Sequence, residues 1–294
     1  MEWVATSDGL HLHAEITGKG APILFVHEFG GDQRSWEPQV RFFSERYQCI
    51  TFNARGYPPS SVPEDPAKYS QARAVDDIVD VMNHIGIERS HIIGLSMGGF
   101  AALHFGLQHP DRAVSLVAAS TGFGAEKKYD AYFKQVSHEI ADLYEKYGAE
   151  EFSHIYAQSA PRIPFLVKDP HGWEEFRRVL GDRSALGAAL TMRGVQAARP
   201  SIYEFEDGLK SMNLPTLIIA GDEDDNCLQP GLFLKSAIPA SGLMIIPKTG
   251  HTCNLEEPDL FNQIVSEFLT AVEVERWLPR DPRCVPLEIL KENT

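Results

Sequence analysis

The chain carries one strong motif, Gly94-Leu95-Ser96-Met97-Gly98-Gly99, which has the form G-x-S-x-G. It follows the apolar run at residues 91–93 and precedes a helix-forming segment that starts near Phe100. A serine on such a strand-to-helix turn has a strained backbone, and small residues two positions away on each side let the chain pass. The motif predicts that Ser96 is a nucleophile and that the Met97 N–H, at a helix N-terminus, stabilises an oxyanion.

Apolar runs typical of central parallel strands occur on both sides of this motif. They are separated by segments with helical spacing of apolar residues, at 72–85, 100–109 and 260–272. This alternation predicts an α/β fold with a mostly parallel twisted sheet, helices on both faces, and functional residues at the carboxyl ends of the strands. An alternating stretch at residues 3–16 predicts an antiparallel hairpin at one edge. The apolar runs are residues 22–26, 49–52, 91–93, 114–119, 215–220 and 243–246.

Residues 121–202 interrupt the alternation, because they contain helix formers and many aromatic residues but no convincing buried strand. We interpret this segment as a helical cap inserted into one α/β core, which consists of residues 1–120 and 203–294. Most of its aromatic side chains are expected to pack within the cap, and some to face the pocket.

A serine hydroxyl needs a base, and the base needs a carboxylate to orient it. His251 follows the last apolar run on a short loop, from which it can reach the middle of the sheet edge. The acidic cluster at 222–225 follows the preceding apolar run, and we choose Asp224 from it, with Asp225 and Asp222 as alternatives. The order Ser96, Asp224, His251 is the one expected for a nucleophile elbow on an α/β sheet.

The second oxyanion donor is expected from the loop after the run at 22–26. That loop is His27-Glu28-Phe29-Gly30-Gly31, and the Phe29 N–H is the candidate donor. The alternative is an ordinary glycine turn. His27 is expected to brace the loop rather than to take part in the chemistry.

The composition and net charge of the chain indicate which partners and cofactors to expect. The chain has 294 residues, 43% of them hydrophobic, and a net charge of −14, which disfavours nucleic acid and anionic membranes as partners. We expect a cytoplasmic protein with a small-molecule substrate, because no secretory signal or membrane span is evident. The four scattered cysteines form no C-x-x-C pair, and no cofactor motif occurs, so we expect reduced thiols, no metal and no cofactor.

These motifs together resemble the α/β-hydrolase superfamily, in particular its capped single-domain serine hydrolases, which include esterases, enol-lactonases and cofactor-free haloperoxidases. Residues 52–57 with Ser60 are similar to the family element D-x-R-G-x-G-x-S, and residues 221–224 to its G-x-x-D. The resemblance implies the same roles for Ser96, Asp224, His251 and the two N–H donors. Two positions depart from the pattern: Glu28 replaces a glycine, and Asn53 an aspartate.

The predicted function is therefore hydrolysis of a small carboxylic ester, lactone or related acyl substrate through an acyl-enzyme on Ser96. The alternatives are C–C bond hydrolysis or perhydrolysis with the same triad, and a ligand receptor built on the hydrolase scaffold. Glu28, beside the loop of the second oxyanion donor, could disfavour anionic substrates or bind a polar group, but we expect it to point to solvent. We also expect the arginines of the cap to lie on the exposed surface, namely Arg162, Arg177, Arg178 and Arg193.

Overall fold

A computed structural model describes residues 1–284. Its centre is an eight-stranded sheet in the order β1-β2-β4-β3-β5-β6-β7-β8. β2 runs antiparallel to both of its neighbours, and the remaining pairs are parallel. The predicted α/β class and edge hairpin are confirmed. The strands are β1 Glu2–Ala5, β2 His11–Thr17, β3 Ala21–Val26, β4 Tyr47–Phe52, β5 Ser90–Leu95, β6 Ala113–Ala119, β7 Thr216–Gly221 and β8 Ser241–Ile246.

Helices cover both faces of the sheet, which explains the continuous apolar runs in its central strands. Successive side chains of a strand point to opposite faces. In β3, Leu24 packs in one cluster with Phe100 of helix α3 (Met97–Gln108), whereas Phe25 packs in another cluster with Phe261 of helix α11 (Pro258–Glu273). The core helices are α1 Glu37–Phe43, α2 Gln71–Ile85, α3 Met97–Gln108, α8 Glu206–Ser211, α9 Asp225–Ala237, α10 Cys253–Glu256 and α11 Pro258–Glu273. None of the helices in the described part of the chain is long and apolar enough to cross a membrane.

A group of helices lies between β6 and β7, and we call residues 121–202 the helical insert. It contains α4 Lys127–Tyr156, α5 Ile163–Lys168, α6 Pro170–Gly181 and α7 Ala185–Thr191. Gly148 has a φ of 77°, so α4 consists of two helices that meet at this residue. Tyr144 and Phe152 of the insert pack in one buried cluster with Phe29 and Met97 of the core. The insert therefore lies directly over the loops after β3 and β5. Residues 285–294 of the predicted core domain lie outside the described residues.

Candidate active site

Ser96 lies between β5 and α3 in a backbone conformation that is rare for a residue with a side chain, with φ 53° and ψ −112°. Its N–H donates to the Ala119 carbonyl oxygen at 2.8 Å, which fixes the turn against β6. A Cβ atom at Gly98 would overlap the Val26 carbonyl oxygen, and one at Gly94 would overlap the Gly98 carbonyl oxygen. Glycine at these two positions lets the turn form beside β3, as the motif predicts.

His251 and Asp224 come together at the same edge of the sheet. The Nδ1 of His251 lies 2.7 Å from Oδ2 of Asp224, and both side chains are buried. Because an ionised carboxylate only accepts hydrogen bonds, Nδ1–H donates and Nε2 is left with its lone pair. A Cβ atom at Gly221 would overlap the Thr249 carbonyl oxygen, so this glycine lets the two loops meet.

The two alternatives to Asp224 point elsewhere. Asp222 accepts a hydrogen bond of 3.3 Å from the Thr249 N–H. Asp225 begins α9 and lines a surface cavity of about 440 Å³, together with six residues of the helical insert, namely Ala160, Pro161, Ile163, Pro164, Val167 and Lys168. Among the described acidic residues of the cluster at 222–225, Asp224 is the one that contacts the imidazole.

Glu256 holds the loop of His251, and sequence reasoning missed this residue. Its carboxylate accepts the Gly250 N–H at 2.8 Å and the Thr252 N–H at 3.2 Å, on either side of the histidine. Burial raises the pKa of Glu256 above its ordinary value. On the opposite side, the His251 N–H donates to the carbonyl oxygen of Pro161 in the helical insert at 2.9 Å. No local motif marks Glu256, because its role depends on how the loop folds back.

The loop after β3 presents the Phe29 N–H, which donates no hydrogen bond within the described residues. The Met97 N–H begins α3 and so has no acceptor within the helix. The Tyr57 hydroxyl donates to the Phe29 carbonyl oxygen at 3.1 Å and fixes this loop. Two backbone N–H groups at adjacent strand ends are thus available to a ligand, and their role as an oxyanion hole stays a prediction.

His27 braces the same loop, as predicted. The Ala54 N–H donates to its Nε2 at 3.0 Å, so Nδ1 carries the proton and donates to the Glu28 carbonyl oxygen at 2.7 Å. Burial lowers the pKa of His27, which favours this neutral form. The side chain therefore joins the loops after β3 and β4 without taking part in proton transfer.

The imidazole of His251 extends across the sheet edge toward β3. Its Nε2 lies 4.0 Å from Oε2 of Glu28, which follows β3, whereas His251 itself follows β8. The sheet order places β5, and with it Ser96, next to β3 on this path. Among the described residues, no hydrogen bond joins the Ser96 hydroxyl to the imidazole.

The expectation that Glu28 points to solvent is wrong. Its side chain is 1% exposed and forms a two-pronged ion pair with Arg162, in which Nη1 donates to Oε1 at 2.7 Å and Nη2 contacts Oε2. Burial alone would raise the pKa of the Glu28 carboxyl, but the Arg162 guanidinium lowers it below its ordinary value. Arg162 is buried because it pairs with this carboxylate, and its guanidinium lies over the ring of Phe176 at 4.7 Å.

The other three arginines of the helical insert differ in their exposure to solvent. Arg178 is exposed as expected, and Arg193 is partly exposed and paired with Glu145 and Asp142. Arg177 is buried, contrary to expectation, because it bonds to Ser153 at 2.7 Å within the insert. The prediction of an exposed position is wrong for Arg162 and Arg177 for the same reason. Each of them donates to a buried acceptor that is distant in the sequence.

Arg183 was not identified as a site residue from the sequence, yet it lies beside the loop after β3. Its guanidinium is 4.9 Å from the ring centre of Phe29 and 5.2 Å from that of Tyr57. It is 9% exposed, and its Nε and Nη2 atoms have no hydrogen-bond partner among the described residues. Cation–π contacts with these rings compensate part of the cost of burying the charge. Nothing in the local sequence distinguishes this arginine from an exposed one.

The second departure from the family pattern, Asn53, has a structural explanation. Its side-chain oxygen accepts the Gln33 N–H at 2.9 Å and its amide group donates to the Pro58 carbonyl oxygen at 2.7 Å. An ionised aspartate could make only the first of these bonds. Arg55 of the same element forms a buried ion pair with Asp77. The side chains of Asn53 and Arg55 therefore bind other parts of the protein.

Asp224, Cys227 and His251 have ligand atoms within 4.8 Å of one another, which is close enough to share a metal ion. However, Nδ1 of His251 is already engaged by Asp224, and burial raises the pKa of the Cys227 thiol well above its ordinary value. A thiol that resists ionisation is a poor metal ligand. The arrangement fits an oriented imidazole better than a metal centre.

Comparison with known proteins agrees with this geometry. The family model for the alpha/beta hydrolase fold matches residues 21–258. The chain is 27% identical to a putative 2-succinyl-6-hydroxy-2,4-cyclohexadiene-1-carboxylate synthase of Bacillus subtilis, over 92% of this chain and 98% of that protein. It is 28% identical to the 3-oxoadipate enol-lactonase 1 of Acinetobacter baylyi, over 92% and 97%.

Among solved structures, a thermophilic esterase from Thermogutta terrifontis superimposes with a TM-score of 0.81 at 26% identity, covering 92% of this chain and 98% of that one. The relatives span nearly the whole chain, including the helical insert. The family indicated by the motifs is confirmed. The protein belongs to the alpha/beta hydrolase fold family.

Proposed function

We propose that this protein is a serine hydrolase that cleaves a small carboxylic ester or lactone through an acyl-enzyme on Ser96. The observation that carries the proposal is the 2.7 Å hydrogen bond between Asp224 and His251 at the sheet edge that also bears the strained Ser96 turn. A carboxylate that holds the Nδ1–H leaves Nε2 free to accept the proton of a nucleophile. The arrangement is the one that activates a serine hydroxyl.

In the proposed reaction, the Ser96 oxygen attacks the substrate carbonyl carbon while its proton passes to Nε2 of His251. The Phe29 and Met97 N–H groups stabilise the negative oxygen of the tetrahedral intermediate. The imidazolium then gives the proton to the leaving alcohol oxygen as its bond to carbon breaks. Water repeats the sequence on the acyl-enzyme, which releases the acid and restores Ser96.

The names of the relatives support this chemistry. The Acinetobacter baylyi protein is an enol-lactonase and the Thermogutta terrifontis protein an esterase. Both reactions break a carbonyl carbon–oxygen bond, which a serine nucleophile and an oxyanion hole can catalyse.

We also propose that the helical insert acts as a cap on this site. Phe29 and Met97 are buried beneath its side chains, and the His251 N–H is bonded to its Pro161 carbonyl oxygen. Substrate entry then requires some movement of the insert away from the sheet edge. Lid motions of this kind exclude water from the reaction and often limit turnover.

Hydrolysis of p-nitrophenyl esters of graded chain length, together with covalent labelling by a fluorophosphonate, tests the proposal. We expect multiple turnovers and one label per chain at Ser96 in the native protein. Ser96→Ala should lower kcat by about 10⁶-fold, because the triad acts as a unit, and should abolish labelling. Ser211→Ala, which removes an exposed hydroxyl on α8, is the matched control. Native-like turnover by Ser96→Ala would refute the proposal, and labelling without repeated turnover would favour the receptor alternative.

A further inference from the structure

Glu28 places a second buried carboxylate beside the catalytic imidazole. Asp224 contacts the Nδ1 side, while Oε2 of Glu28 lies 4.0 Å from Nε2 on the opposite side. Glu28 also directly precedes Phe29, whose N–H is the proposed oxyanion donor. The carboxylate therefore lies beside the imidazole nitrogen that exchanges a proton with the substrate in the proposed reaction.

The position of this carboxylate is fixed by the helical insert. Both guanidinium nitrogens Nη1 and Nη2 of Arg162 engage the two oxygens of Glu28. Arg162 is itself 3% exposed and lies over the Phe176 ring. A Cβ atom at Gly30 would be only 2.8 Å from Nη2 of Arg162, so the pair fills the room beside the loop. Neither side chain can turn away to solvent while the insert is in place.

Each oxygen of Glu28 retains acceptor capacity after pairing. A carboxylate oxygen has two lone pairs, and Arg162 occupies one on each. The pairing with Arg162 lowers the pKa of the Glu28 carboxyl below its ordinary value, so the group is ionised at neutral pH. A substrate that reaches this point therefore encounters a hydrogen-bond acceptor with a negative charge.

The proton transfer from His251 determines which part of the substrate lies next to Glu28. Nε2 must come within about 3 Å of the leaving oxygen to return the proton to it. Oε2 of Glu28 is 4.0 Å from the same nitrogen, so the atoms attached to the leaving oxygen lie next to Glu28. A donor group there gains a charge-assisted hydrogen bond, whereas an anionic group is repelled.

We propose that Glu28 is a specificity-determining residue that selects esters or lactones whose leaving group carries a hydroxyl or ammonium close to the scissile oxygen, and that rejects a carboxylate there. This inference rests on the proposed function. Arg162 is the positioning residue in this arrangement, since it holds the carboxylate and does not contact the leaving group. The glycine that the family has at this position offers no such group.

Four butyrate esters with different alcohols test this proposal: propyl, hydroxyethyl, dimethylaminoethyl and carboxymethyl butyrate, each followed by titration of the released acid. The deciding quantity is the ratio of kcat/KM for the ammonium ester to kcat/KM for the carboxymethyl ester. We expect this ratio to exceed about 10 in the native protein, because opposite charges are placed beside Glu28. The hydroxyethyl ester should be cleaved faster than propyl butyrate.

Two variants should change the ratio of kcat/KM for the ammonium ester to kcat/KM for the carboxymethyl ester in a predicted order. Glu28→Gln leaves the Arg162 charge unbalanced, whereas the double variant Glu28→Gln with Arg162→Met leaves no charge at this point. The ratio should therefore fall from the native protein to the double variant, and again to Glu28→Gln, by at least about tenfold over the series. The double variant also guards against misfolding caused by an unpaired buried charge. Glu145→Gln, in the partly exposed pair with Arg193, is the matched control and should keep the native ratio.

The outcomes separate this inference from the proposed function. An unchanged ratio across the series, with p-nitrophenyl butyrate still hydrolysed, would overturn the role of Glu28 and leave the serine mechanism intact. A reversed order, with the carboxymethyl ester favoured by the native protein, would do the same. Absence of Ser96-dependent hydrolysis of any ester would overturn both.

Discussion

The Ser96 turn and the Glu28–Arg162 pair lie on the same edge of the sheet but are built in different ways. The turn is shaped by backbone contacts between adjacent elements, and glycines at 94 and 98 provide the space it needs. The pair joins side chains that are 134 residues apart in the sequence and is enclosed by the helical insert. A backbone turn is specified by its own residues, whereas each buried charge is tolerated only because the other is present.

Of the variants that keep Ser96 in place, the largest effect is expected at the Asp224–His251 contact, which lies at the same sheet edge as the Ser96 turn. Asp224→Asn should lower kcat for p-nitrophenyl butyrate by about 10⁴-fold with little change in stability, because an amide favours the wrong tautomer of the imidazole. Steady-state kinetics and a thermal melt measure both quantities. Asp225→Asn, one residue away and without contact to His251, is the control. A loss of less than tenfold in Asp224→Asn would show that another acceptor orients the base.

The next effect concerns the stability of the buried pair. Arg162→Met should lower the free energy of unfolding by about 3–5 kcal/mol, because it leaves Glu28 charged and buried without a partner. The double variant Glu28→Gln with Arg162→Met should recover most of this loss. Urea denaturation gives the values, and Arg193→Met on the surface of the insert should change them by less than about 0.5 kcal/mol. If the double variant is no more stable than Arg162→Met, the loss has another origin, such as the packing of the arginine against Phe176.

The smallest effect is a pH dependence of stability that arises from Glu28. Its pKa is lower in the folded protein than its ordinary value of 4.5, so the unfolded chain takes up the proton first as the pH falls. The stabilisation is therefore present above pH 4.5 and is lost as the pH falls below that value toward the folded pKa. The groups that face Glu28 are Arg162, Arg183 and His251, and each of them lowers the pKa of the Glu28 carboxyl.

Denaturation measured from pH 6 to pH 3 tests this effect. The native protein should lose more stability than the double variant Glu28→Gln with Arg162→Met over this range, because only the native chain carries the Glu28 carboxyl whose pKa is lowered on folding. Parallel curves for the two proteins would show that Glu28 has the same pKa in the folded and unfolded states.

Fold and backbone geometry could be predicted because their signals are local. The apolar runs identify the strands, and the helices predicted at 72–85 and 260–272 occur at Gln71–Ile85 and Pro258–Glu273. The position of Ser96 follows from the same kind of signal, since strand, glycines and helix are contiguous. The choice of Asp224 from four acidic residues agrees with the resemblance of residues 221–224 to the family element G-x-x-D, and the structure places Asp224 against His251.

The charged side chains of the site could not be predicted in this way. Glu28 and Arg162 each resemble an exposed residue in the sequence, because their neighbours along the chain do not reveal that a partner of opposite charge will be buried with them. Arg183 and Glu256 are similar cases, since one lies among aromatic rings and the other accepts N–H groups from a loop that folds back.

The amino-acid sequence by itself determined the strands of the sheet, the turn at Ser96 and the order of Ser96, Asp224 and His251 along the chain, because periodicity and glycine placement act over a few residues. Only the tertiary structure decided which charges surround the imidazole of His251. The physical reason is that burying an ion costs several kcal/mol unless a partner is supplied, and that partner is brought by chain topology from a distant part of the sequence.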